Sequence, residues 1–239
     1  MPVSLPRLAP PIALALALAL ALACRAVGAT DVAAATTPAA LADATVQIGA
    51  RSVHLPPGNW TLVHTKQVHP PMARDIDITT AWVVLLRDGR FGMAMQLSLP
   101  VADMRKDRRL PDNPCTARDG VLRGDYSRGE SEMECLAVFG HHDLQQVLRQ
   151  RAPRIEHWLG RRAGKVEDGV EVTYSHREGR MLGRVAFYFP ASDFASDDDA
   201  ARWAAAVRAS FEPLVERKVA EVTLPPLPTP PADNAPARP

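Results

Sequence analysis

The chain's chemistry would have to come from three cysteines, seven histidines and scattered carboxylates. Cys115 and Cys135 have no second Cys or His two to four residues away, the spacing that zinc sites use, and they do not form a C-x-x-C redox pair. In an exported chain such a pair predicts one disulfide, Cys115–Cys135. Closing that loop is worth roughly 3 kcal/mol in the chain-entropy account. His54, His64 and His69 fall among early strands at spacings that match no helical metal pair. His141 and His142 are adjacent, so on a strand they point to opposite faces. No H-E-x-x-H helix, G-x-S-x-G elbow, P-loop or G-x-G-x-x-G turn occurs. The sequence therefore names no catalytic residue, no metal ligand and no cofactor-binding residue, and no cofactor is expected.

The remaining polar clusters read as structural. Asp197, Asp198 and Asp199 follow Ser196 and suit the first turn of a helix, where negative charge is favoured. They lack the spaced ligands and glycine of a calcium loop. Arg149, Arg151, Arg154, Arg161, Arg162 and Lys165 make one stretch basic, which reads as a solvated helix face. Between Cys115 and Cys135 the chain is polar and contains glycine, so a long, stapled surface loop is expected there, a setting in which recognition often resides.

Residues 1–29 read as a secretory signal. Arg7 precedes an unbroken apolar run over residues 12–23, and Val27-Gly28-Ala29 supplies small residues for cleavage between Ala29 and Thr30. The run is shorter than the roughly 18 residues that span a bilayer. Cys24, after Ala21-Leu22-Ala23, offers an alternative fate as the lipidated cysteine of an envelope lipoprotein. No later stretch is long and apolar enough to form a transmembrane segment. The expected location is therefore the periplasm or the extracellular space. The excess of Arg over Lys reads as the bias of a GC-rich bacterial genome.

The elements that must position any site follow from periodicity. Continuous apolar residues from Trp82 to Leu86 predict a strand buried on both faces, and Asp88-Gly89 predicts a tight hairpin turn. With Arg87 opposite Arg90, Trp82 should face Met95 and Val84 should face Met93. A second hairpin is expected around Glu178-Gly179, with Val172 opposite Val185 and His176 opposite Met181. Shorter strands are predicted over 46–48, 51–55, 60–68 and 136–139. Asp143 with Gln146 predicts a helix start, Pro153 a break, and Gly164 the end of the second segment. Trp203, Val207, Phe211 and Leu214 form the stripe of a last helix, with Pro213 expected to kink it.

Strands, helices, a hairpin and a final helix make the expected fold class α+β. A mostly antiparallel sheet built from hairpins would carry two to three helices in a single domain. Residues 30–44 read as a flexible Ala/Thr-rich lead, 45–223 as the globular domain, and 224–239 as a disordered proline-rich tail. A hydrophobic share of 46% supports a core, and a net charge of +1 argues against a nucleic-acid partner. The leading functional reading is an exported, noncatalytic binding or accessory module with an unknown protein or envelope partner. The alternative is a small periplasmic hydrolase or metal-dependent enzyme whose site forms only from sequence-distant residues.

Overall fold

A computed structural model describes residues 30–31, 37–68, 77–101, 121–128, 132–163, 166, 168–178 and 181–229. Strands β1 (Thr30–Asp31), β2 (Ala39–Ala40), β3 (Thr45–Ile48), β4 (Arg51–His54), β5 (Trp60–Val68), β6 (Ile78–Arg87) and β7 (Arg90–Pro100) come first. β8 (Val121–Arg128) and β9 (Glu132–His141) precede helices α1 (Leu144–Arg151) and α2 (Pro153–Gly160). β10 (Gly169–Glu178), β11 (Met181–Pro190), α3 (Asp197–Val215) and β12 (Glu221–Thr223) complete the order.

Eight strands form the main sheet in the order β2-β5-β6-β7-β11-β10-β9-β8, antiparallel throughout. A small sheet, β1-β3-β4-β12, joins its outer strands in parallel. The molecule is thus a single-domain α+β protein built mainly from antiparallel hairpins, as its sequence order implies.

The main sheet buries both faces. On one lie Val83, Leu85, Met93, Met95, Val172 and Phe187, covered by α3 and the small sheet. On the other, Trp82, Val84, Phe91, Ala186 and Tyr188 meet Leu144, Leu148, Ile155 and Trp158 of α1 and α2. Each helix sits where its apolar stripe finds an apolar sheet face.

Both hairpins depart from the expected register. In the first, Asp88 and Gly89 both take positive φ, as a tight turn requires, and Arg87 does pair with Arg90. Leu86 pairs with Phe91, but Leu85 then pairs with Met93, leaving Gly92 as an extra residue. This β-bulge exchanges the faces of β7, so Val83 opposes Met95 and Trp82 opposes Gln96. Glycine is required there because a Cβ would lie 2.8 Å from Arg87 Cγ and 3.1 Å from the Leu85 carbonyl. In the second hairpin Glu178 pairs with Met181, which moves the pairing by two residues and keeps the faces. His176 accordingly opposes Gly183, and Val172 opposes Phe187.

The helical expectations fare better. Asp143 caps α1 by accepting from the Gln146 N–H at 2.8 Å, and the break falls at Ala152. α2 ends at Gly160 rather than Gly164. Ser196 accepts from the Asp199 N–H at 3.2 Å, so the acidic run does cap a helix. α3 runs as one helix to Val215, with Pro213 in its last turn. Beyond β12, Leu224 is buried and the Pro226 carbonyl accepts from Trp203 Nε1 at 2.8 Å.

Candidate functional site

The break between α1 and α2 builds the candidate site. Pro153 cannot donate a backbone N–H, so it starts a helix where it would disrupt one. The Ala152 N–H still closes α1 onto the Leu148 carbonyl at 2.7 Å, and its own carbonyl accepts from Ile155 at 2.8 Å. The turn places Arg151 at the end of one helix and Arg154 at the start of the next. Both line an open cavity of ≈ 360 Å³ with His64, Lys66, Trp82 and Pro153.

His64 stacks on the Trp82 indole, their centroids 5.1 Å apart and their planes 21° from parallel. Its Nδ1 accepts from Arg154 Nη1 at 3.4 Å, which leaves the proton of the neutral ring on Nε2. Desolvation, then the charges of Arg154 and Lys66, hold the His64 pKa below its ordinary value. None of the described residues lining the cavity is a carboxylate.

Arg151 reaches from the cavity wall to Glu171, 0% exposed on β10, an interior strand of the main sheet. One carboxylate oxygen receives His141 Nε2 at 3.0 Å and Arg151 Nη1; the other receives the Thr173 hydroxyl at 2.9 Å. Desolvation is the largest single influence and raises the Glu171 pKa. The His141 hydrogen bond, the Arg151 charge and the Thr173 hydroxyl together outweigh it and hold the carboxyl below its usual range. The nearby Tyr188 phenol is pushed up to about 12, first by desolvation and then by the Glu171 charge. Glu171 therefore fixes Arg151 and offsets its charge, leaving Lys66 and Arg154 as cavity-wall cations with no carboxylate partner among the described residues.

A serine-protease-like line also occurs in the small sheet, where Thr45 Oγ1 lies 3.0 Å from His54 Nδ1 and His54 Nε2 lies 3.5 Å from Glu221. It is no nucleophile, because the Thr45 hydroxyl is buried and donates to the Asp43 carbonyl at 3.1 Å.

Two sequence expectations need correction. The segment between the cysteines is not one long surface loop, because β8 and the start of β9 lie within it as the edge of the main sheet. Alternating apolar residues do not mark β8, whose place comes from backbone pairing to β9. Nor is the basic stretch a uniformly solvated face, since Arg151 is tied to buried Glu171 and Arg154 lines the cavity. Cys135 is buried on β9. Thr30 pairs with Val46, while Cys24, Ala29 and Cys115 lie outside the described residues.

Sequence reasoning missed Glu171, His141 and Arg151 as a group. The available signal was a polar alternation, Glu171-Thr173-Ser175, opposite Val170-Val172-Tyr174. It becomes informative only once the strand is known to be covered on both faces. No helix among the described residues is long and apolar enough to cross a membrane. No family model, curated protein or solved structure matches the chain.

Proposed function

We propose that this chain is an exported, noncatalytic binding module that takes small organic anions into the cavity at the α1–α2 break. The observation that carries this reading is the pair of cations, Lys66 and Arg154, that line the cavity with His64 and lower its pKa, with no carboxylate among the described lining residues. Trp82 and Pro153 supply apolar wall for the body of the ligand, and the cations face its carboxylate or phosphate. An anion seated there offsets the charges of Arg154 and Lys66 and raises the His64 pKa from its lowered value, so binding takes up a proton and strengthens as pH falls.

Calorimetric titration with benzoate and phenyl phosphate, against inorganic phosphate, tests the proposal. Both aromatic anions should bind saturably and more tightly than inorganic phosphate, with affinity rising as pH is lowered through the ordinary histidine range. The Lys66→Ala/Arg154→Ala double variant should lose about tenfold or more, equivalent to about 1.4 kcal/mol. Absent saturation, or affinity indifferent to both pH and the double variant, overturns it.

Export rests on the leader, and a Cys115–Cys135 disulfide rests on the cysteine count together with a Cys135 sulfur that is engaged rather than free. An intact mass of the protein recovered from the envelope tests both. The mature chain should begin at Thr30 and be lighter than its reduced form by the hydrogens that one disulfide removes. A lipid mass on Cys24 would replace the soluble form with an anchored one, and an unchanged mass on reduction would exclude the disulfide.

A further inference from the structure

On the sheet face opposite the cavity, β9, β10 and α3 bring Glu134, His176 and Glu212 together. One ring nitrogen and one oxygen from each carboxylate lie within 4.8 Å of one another. Their approach has a cause in the backbone. His176 opposes Gly183, and a Cβ on Gly183 would lie 2.4 Å from Val215 Cγ2 and 2.9 Å from Phe211 Cε1. The missing side chain lets the last turns of α3 settle onto the sheet, with Phe211 edge-on to Tyr174 at 6.1 Å and Glu212 beside His176.

The histidine is what makes this group more than an acidic cluster. His176 is 1% exposed, and neither ring nitrogen has a hydrogen-bond partner among the described residues. Its Nε2 also has the carboxylate of Glu132 within 3.5 Å, mostly exposed. A buried imidazole without hydrogen bonds is costly, which calls for a ligand at the ring. Glu134 is already oriented: the Tyr174 hydroxyl donates to one oxygen at 2.7 Å and Arg208 to the other. Each of those oxygens keeps a further lone pair, so the two donors act as the outer partners that fix a metal-binding carboxylate. Glu132, Glu134 and Glu212 together outnumber Arg208 in charge.

We propose that Glu134, His176 and Glu212 form a binding site for a first-row divalent transition ion such as Zn²⁺. Imidazole with carboxylates is a donor set for such ions, whereas Ca²⁺ and Mg²⁺ take oxygen alone. Ligand bonds of about 2.0–2.1 Å bring donor atoms to roughly 3.4 Å from one another in a tetrahedral site. Half-buried Glu212, on the helix, supplies most of that closure by side-chain rotation. The site is separate from the anion cavity and does not depend on it.

The test is calorimetric titration of tag-free, chelator-stripped full-length protein with Zn²⁺, and with Ca²⁺ and Mg²⁺ as controls. One Zn²⁺ per chain is expected to bind, with Ca²⁺ and Mg²⁺ far weaker. His176→Gln should abolish the binding. Glu212→Gln, at a half-buried helix position that tolerates exchange, should weaken it by about tenfold or more even if the histidine variant does not fold. No saturable Zn²⁺ binding, binding unchanged in Glu212→Gln, or equal affinity for Ca²⁺ overturns the assignment.

Discussion

Glu171 shows how one residue can hold a site that it does not line. Its carboxylate is fully buried, and donors reach it from β9, the end of α1 and its own strand. Removing it leaves the partly buried Arg151 and His141 without their shared carboxylate. Breaking a buried pair from one side costs about 3–5 kcal/mol, so Glu171→Ala should lower Tm by roughly 6–20 °C at neutral pH. The sign of its pH dependence follows from its lowered pKa. A carboxyl held down in the folded state stabilises in full above its ordinary range, and the effect is lost as pH falls through the folded value. Thermal melts of wild type and variant should therefore converge on acidification. A loss below about 1 kcal/mol at neutral pH would show that Glu171 is not the anchor of Arg151.

At the scale of elements, hairpins, turns and caps decide which side chains share a face. Gly92 carries the clearest case, because one inserted residue sends Met93 and Met95 to the α3 side and leaves Trp82 on the cavity side. Another element-level tie joins the tip of the β6–β7 hairpin to the turn before α3. Arg87 Nη1 donates to Asp193 Oδ2 at 2.9 Å, and Asp193 is almost fully buried. Desolvation pushes the Asp193 carboxyl up to about 6, against the opposing pull of Arg87. Here the linkage runs opposite to that of Glu171. The folded chain holds the Asp193 proton to higher pH than the unfolded chain does, so this residue increasingly destabilises the fold as pH rises from about 4 to 6. Asp193→Asn removes that titration. Chemical denaturation across this range should show the variant gaining on wild type by up to about 3 kcal/mol and then levelling off. A flat difference would mean that Asp193 does not carry the raised pKa.

Over the whole molecule, two helical layers enclose one broad sheet, and each encloses a different polar group. The cavity lined by His64, Lys66 and Arg154 forms where α1 and α2 part over β5 and β6, and the Glu134–His176–Glu212 group forms where α3 closes over β9 and β10. Much of the scaffold was legible in the residues themselves. Asp88-Gly89 marks its turn, Asp143 and Ser196 mark their caps, and Pro153 marks the helix break, because each acts through atoms within a few residues. The antiparallel α+β class follows from the order of those elements. The bulge at Gly92 and the two-residue register change in the second hairpin were not legible, because apolar alternation does not reveal which glycine is squeezed out of a ladder. Nor were the sites. Glu171, His141 and Arg151, like Glu134, His176 and Glu212, lie on separate elements, and each reads as an ordinary surface polar residue until both faces of the sheet are known to be covered. The sequence by itself thus determined most of the longer elements and the fold class, through short-range hydrogen bonding and periodicity, but not β8. Only the tertiary structure decided which polar side chains lose water together, and desolvation is what turns them from solvated charges into groups that need partners.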